Sequence, residues 1–280
     1  MENRAAVIGK PGFFNYIFPS NLGLNATDRA RVKAAKLDER RILADLHVGY
    51  GGAIEQADSM FASHGAGYKG GAVNLETNAA THTMQRALAE ASDIGDFLGS
   101  SDVTAGRMKI RTASFCTERS GHFDSFDQGL IFFLPNQTWL QPPAHAHAMI
   151  HESWCDRVLN ISYGRALGQS AIAQMQSDGS RLVVRYVNAF NASVKVSLYG
   201  VDGWHPANVT VLKPPSDPNK CLPLCSGSYY DTATPQLQMC CSNSPATPTL
   251  LEPTRGAMDS ATTFTASAFS FTVVQFAKTE

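Results

Sequence analysis

The feature that most constrains this chain is a change of pattern near residue 155. Before it, short unbroken apolar runs alternate with helical spacing; after it, strand-like runs and turn residues remain. The early runs are "RAAVIG" (4–9), "RILADLHVG" (41–49), "GGAVNLE" (70–76) and "QGLIFFLP" (128–135). Continuous apolar strands suit a parallel sheet covered on both faces. Between the last two lies "ATHTMQRALAEASDIGDFLG", where Met84, Leu88, Ala91 and Ile94 recur at helical spacing. "PAHAHAMIHESW" (143–154) reads as a second helix opened by proline. Such alternation predicts βαβ units, hence a barrel or a doubly wound sheet.

Past Cys155 the pattern is all-β. "RLVVRYVNAFNASVKVSLYG" predicts two strands joined at the turn-prone "NAFNA", "ANVTVLK" a further strand, and "TFTASAFSFTVVQFA" the close of the chain. A Pro/Cys-rich loop fills about 213–262. This half reads as an antiparallel β-sandwich, with the boundary near 155–165 and no internal repeat.

The 280 residues allow one large domain or two ordinary ones, and 44% hydrophobic content is enough for a packed core. A formal net charge of −1 leaves no electrostatic footprint for nucleic acid or an anionic membrane, so neither is expected as a partner. No apolar run approaches the roughly 20 residues that span a bilayer. The start, "MENRAAVIGKPGFFNYIF", lacks the basic-then-apolar build of a secretion signal.

Of six cysteines, Cys221, Cys225, Cys240 and Cys241 crowd "NKCLPLCSGSYYDTATPQLQMCCSNSP". A metal site is one reading. Adjacent cysteines fit zinc chelation poorly, however, and Pro, Ser and Gly surround them, so disulfide stapling of a loop is favoured. Asn-x-Ser/Thr triplets occur at Asn25, Asn136, Asn160, Asn191 and Asn208. Together these features predict a secreted protein or one of a lysosome- or vacuole-like compartment. The natural amino terminus, with its signal, is then expected upstream of Met1.

Candidate chemistry gathers where the apolar runs end. Carboxylates at the carboxyl ends of parallel barrel strands sit where barrel enzymes react. Asp45 and His47 lie on the second run, Glu76 ends the third, and the fourth leads into "NQTWLQPP" with Gln137 and Trp139. A carboxylate among amides and an indole is a sugar-binding composition. The plainer alternative makes Glu76 a solvated loop residue or a charge at a helix amino terminus. Likewise Asp45 and His47 could be a structural hydrogen-bonded pair. His145, His147 and His151 include an i,i+4 pair, but no acid stands between them as in H-E-x-x-H. They read as polar helix positions, and no metal or cofactor is expected. Glu118 and Asp124, in the charged loop "CTERSGHFDSFDQG", read as solvated.

The order of these segments resembles the carboxyl-terminal part of glycoside hydrolase family 51, the α-L-arabinofuranosidases, particularly plant-type members. The resemblance runs through "DLHVGYGGAIEQADSMF", "AVNLETN", "QRALAEASDIGDFLG", "LIFFLPNQTW" and "PPAHAHAMIHESW" to "YVNAFNASVKVSLYG" and "SAFSFTVVQF", most of residues 41–280. It implies α/β plus all-β architecture: the C-terminal half of a (β/α)8 TIM barrel over 1–157, about strands 5–8, then a jelly-roll-like β-sandwich over 158–280. It implies Glu76 as the nucleophile of a retaining hydrolase acting on arabinose-containing glycans. Asp45, His47, Tyr50, Asn78, Gln137 and Trp139 would serve as sugar contacts. A glycan on Asn136 would obstruct that pocket, so this triplet is expected to be unused. Two departures stand out: Thr77 and Asn78 follow Glu76 where the family usually has Tyr-Ala, and no strand end here carries the family's Asn-Glu acid/base pair. The acid/base is therefore expected upstream, with this chain alone an inactive fragment. The alternative is a non-catalytic carbohydrate-binding remnant.

Overall fold

A computed structural model of the chain describes residues 15–17, 42–45, 71–74, 83–99, 111–112, 119–120, 130–164, 168–224 and 239–278. The chain divides into two compact units, Met1–Asn78 with Ser100–Phe115, and Ala79–Gly99 with Cys116–Glu280.

The first unit holds one sheet of four strands: β1 (Asn15–Ile17), β2 (Ile42–Asp45), β3 (Gly71–Asn74) and β4 (Arg111–Thr112). Their spatial order is their chain order, and every neighbouring pair is parallel. A doubly wound sheet reverses its strand order at a switch point; these four strands do not reverse. Among the described residues the sheet does not close into a barrel. The second and third apolar runs became β2 and β3. "RAAVIG" lies outside the described residues, and β1 comes from "NYI", a segment whose short length gave no strand signal.

The fourth apolar run is a correction. Ile131–Leu134 (β6) does not join the parallel sheet. It pairs antiparallel with β7 (Gln137–Leu140) across the Pro135-Asn136 turn, and parallel with β5 (Arg119–Ser120) in a sheet of its own. Hydrophobicity concealed its period. Phe132 is 1% exposed while Ile131 and Phe133 are 49% and 44% exposed, so only alternate side chains are buried.

The second unit is built on a six-stranded antiparallel sheet, and both predicted helices pack on it. Helix α1 spans Met84–Gly99 and α2 spans Pro142–Glu152. The strands are β8 (Arg157–Leu159), β9 (Gln169–Met175), β10 (Arg181–Asn188), β11 (Val194–Ser197), β12 (Trp204–Leu212), β13 (Thr254–Arg255), β14 (Thr263–Ala266) and β15 (Ser270–Lys278). The sheet runs β13-β12-β15-β10-β9-β8, and β11 pairs with β14 in a second, two-stranded sheet. Thus β10 and β11 are not partners across "NAFNA", and the closing run splits into β14 and β15, which belong to different sheets. The break falls at Phe269, whose φ of 48° is unusual outside glycine. That conformation costs about 1–2 kcal/mol. Burial of its ring and the bond from its N–H to the Phe190 carbonyl (2.9 Å) offset the cost.

Both faces of the sheet are covered, which is why β10 reads from Leu182 to Val187 as an apolar run broken only by Arg185. Leu182, Val184 and Tyr186 turn into one core with Phe264, Ala266, Val274 and Phe276. Val183 and Val187 turn into the other, with Met84, Leu88, Met149, Ile150 and Phe271. Full burial of such side chains contributes roughly 1.5–3 kcal/mol each. At Gly256 a Cβ would meet Val211 Cγ2 at 2.7 Å and Val209 Cγ1 at 2.8 Å, so glycine is required for the segment after β13 to lie on β12.

The helix ends are tied to the cystine loop. Thr83 Oγ1 accepts from the Arg86 N–H (3.3 Å), a side-chain cap. The N–H groups of Met84 and Gln85 donate to the carbonyls of Cys241 and Met239, each at 2.8 Å. In α2, prolines fill the first two positions, where missing donors cost nothing. Gln141, just before them, exchanges two 3.0 Å bonds with the Asn243 backbone. Among the described residues no helix is long and apolar enough to cross a membrane.

Candidate functional site

The carboxyl edge of the parallel sheet is where the sequence placed the chemistry. Register fixes what meets there: Asp45, the last residue of β2, is level with Val73, and Asn74, the last of β3, is level with Thr112. Because the strands are parallel, their carboxyl ends share one edge, and loops leaving that edge can converge on one ligand. Glu76 follows Asn74 by two positions in the sequence. Glu76, Asn78, His47 and Tyr50 lie outside the described residues.

Gln137 and Trp139 belong to the second unit, and there they have other duties. Gln137 Nε2 donates to the Pro245 carbonyl at 3.1 Å. Trp139 is 3% exposed, with its ring edge-on to Phe132 at 6.0 Å. Its indole is thus a core element of the hairpin rather than an open platform for a sugar ring. No described partner accepts from its Nε1.

Two buried polar clusters carry the helices of this unit. Between α1 and α2, Arg86 Nε donates to Glu90 Oε1 at 2.9 Å, and His147 Nε2 lies 2.9 Å from Glu90 Oε2. Burial, the strongest single influence, raises the Glu90 pKa. The bond with His147 and the charge of Arg86 more than offset it, and the group stays below its ordinary 4.5. A carboxylate engaged on both oxygens is a clamp, not a nucleophile. The second cluster surrounds Arg185, which is 3% exposed. Its Nε donates to Ser153 Oγ (3.1 Å), its Nη2 to the carbonyls of Ile150 (3.2 Å) and Ser153 (2.8 Å), and its Nη1 to Gln174 Oε1. Its cation also sits 5.9 Å from the centre of the Trp154 ring. Burial lowers its pKa to about 10, so it is charged at neutral pH.

The sequence read His147 only as a polar helix position and did not single out Glu90 or Arg185. The available signal was a charge within an apolar pattern: Glu90 stands inside "ALAEA", with Arg86 one turn earlier. His145, also buried, is pushed below its ordinary 6.5 by burial, with Glu252 pulling partly back. Among the described residues no three His, Cys, Asp or Glu groups converge to hold a metal ion.

The cysteine reading is supported at one pair: Cys221 is joined to Cys241, and Cys240 is disulfide-bonded as well. Cys225 lies outside the described residues, and Cys155 is a buried free thiol. Asn136, Asn160 and Asn191 are exposed, Asn208 is half-buried in β12, and Asn25 lies outside the described residues.

In fold, the chain is like glycoside hydrolases. More particularly, it is similar to solved α-L-arabinofuranosidases of family 51. With the arabinose-bound MgGH51 enzyme the TM-score is 0.60 at 15% identity, covering 86% of this chain and 37% of that one. With the Thermotoga maritima enzyme in its arabinose complex it is 0.57 at 13% identity, covering 95% and 58%. With the Xanthomonas axonopodis pv. citri enzyme it is 0.51 at 12% identity, covering 84% and 52%. The chain therefore spans between 37% and 58% of the length of these structures. No family model and no curated protein matches the sequence.

Proposed function

We propose that this chain is part of a retaining α-L-arabinofuranosidase, that its first unit supplies about the second half of the catalytic barrel, and that Glu76 is the nucleophile. The observation that carries the reading is the sequentially ordered parallel sheet, whose carboxyl edge holds Asp45 and Asn74 just before Glu76. Likeness in fold to arabinose-bound enzymes supports the substrate class.

A retaining glycosidase needs two carboxyl groups about 5–5.5 Å apart. One attacks the anomeric carbon as the other protonates the leaving oxygen; the second then activates water to release the sugar. In this account Glu76 performs the attack, Asp45, His47, Tyr50 and Asn78 orient the furanose, and the acid/base comes from sequence outside this chain. The substrate is an arabinofuranosyl group on a polysaccharide or glycoprotein, met in an extracellular or lysosome- or vacuole-like compartment. The test is Glu76→Gln in the whole protein, assayed on an aryl α-L-arabinofuranoside. Turnover is expected to fall by several powers of ten, and turnover at the native rate would exclude Glu76. Saturable arabinan binding with no turnover by the native whole protein would favour a binding remnant.

A further inference from the structure

The two edges of the six-stranded sheet are guarded differently. At one, β13 offers exposed Thr254 and Arg255, preceded by Pro253. Proline and charge are common means of stopping an edge strand from pairing with another chain. At the other edge β8 pairs, among the described residues, only with β9, and Arg157 is the one charged residue of the strand itself. Exposed Asp156 and Arg157 stand here among exposed apolar side chains: Trp154 is 43% exposed, Val158 39%, Ile161 38% and Tyr163 36%. Open backbone donors and acceptors beside exposed apolar side chains make a template for self-association.

Within this stretch stands Asn160-Ile161-Ser162, in an exposed extension that immediately follows β8. We propose that Asn160 carries an N-linked glycan and that this glycan shields the β8 edge. The donor is a polyprenyl-diphosphate-linked oligosaccharide. Asn160 Nδ2 displaces the diphosphate from the anomeric carbon; the C1–O bond breaks, the C1–N bond forms, Nδ2 loses one proton, and polyprenyl diphosphate leaves. A hydrated oligosaccharide rooted one residue past the strand blocks approach of a second strand and covers the apolar side chains. The triplets at Asn191 and Asn208 lack this setting. Asn191 lies in the β10–β11 loop, and Asn208 lies inside β12, which already pairs with β13 and β15.

The inference rests on the secretory-compartment reading, which the oxidised Cys221–Cys241 pair supports. The experiment expresses the full chain behind a cleavable secretion leader in a glycosylating eukaryotic host. Peptide mapping after enzymatic deglycosylation then reads Asn-to-Asp conversion at each triplet. Occupancy at Asn160 is expected. Occupancy elsewhere but not at Asn160 overturns the proposal alone, while no occupancy anywhere overturns the compartment reading with it. Asn160→Gln and Ser162→Ala, which remove the glycan by different side chains, are expected to shift light-scattering mass from monomer towards higher species. Adding Val158→Lys to either is expected to restore the monomer. Glycan-free variants that stay monomeric show that the edge needs no cover and overturn the shielding role.

Discussion

Replacing Arg185 with methionine removes the group that fastens the end of α2 to the sheet, while keeping most of the side-chain volume. Two acceptors, the Ser153 carbonyl and Gln174 Oε1, lose their donor, while the Ile150 carbonyl loses one and keeps a 3.4 Å bond from Ser153 Oγ. Ser153 Oγ keeps its own bond to the Met149 carbonyl (2.6 Å). Each buried acceptor left without a partner costs about 1–3 kcal/mol. Against this, the variant no longer buries a guanidinium, a penalty of several kcal/mol per ion. The balance is a loss of about 2–4 kcal/mol, which in a unit of this size lowers the melting temperature by roughly 5–15 °C. Near-UV circular dichroism is the suitable probe, because the Arg185 cation sits against the Trp154 ring. Arg185→Lys keeps a charge but not the planar fork, so it is expected to fall between the two. Exposed Lys213→Met is the control, expected within about 0.5 kcal/mol of the parent. If the Arg185→Met melt overlays the parent's, those carbonyls are satisfied without arginine and the reasoning fails.

Two further outcomes follow from the same unit. Replacing Cys221 and Cys241 by serine opens a crosslink with a sequence separation of 20, worth about 3 kcal/mol in chain entropy. Because Met84 and Gln85 donate to that loop, their amide hydrogen exchange is expected to accelerate; unchanged exchange would show that the loop holds without the bond. Glu90 gives a pH dependence. Its folded pKa lies below the ordinary 4.5, so its contribution is present above the unfolded value and is lost as pH falls through the folded one. Stability is expected to drop below about pH 4.5. Glu90→Gln should flatten that acid limb while costing about 1–3 kcal/mol at neutral pH, and a variant with the same acid slope would remove Glu90 from the account.

Helix α1 was legible because Met84, Leu88 and Ala91 announce one apolar face, and α2 because its prolines fit only a first turn. Where α1 packs was not legible: spacing shows that a face is buried, not what buries it, and here it is α2 together with the sheet of β9 and β10. "QGLIFFLP" misled because a short apolar run looks alike with one face buried or two. The partnership of β11 with β14 is set by contacts about seventy residues apart, such as Val194 with Ala266, which no local signal carries. At the proposed site, Asp45 and Glu76 were singled out from strand ends, a local feature, and Glu76 lies outside the described residues. The bond of Gln137 to Pro245 and the burial of Trp139 against Phe132 depend on contacts made by the folded hairpin, which neither composition nor resemblance carries.

The central claim is that Glu76 forms the covalent bond to the sugar. The most direct measurement treats the whole protein with a 2-fluoro arabinofuranosyl donor bearing a good leaving group, which slows release of the intermediate, followed by peptide mass spectrometry. One 2-deoxy-2-fluoropentosyl adduct is expected, on the peptide containing Glu76, absent from the Glu76→Gln variant. An adduct on any other carboxylate, or turnover without an adduct, would contradict it.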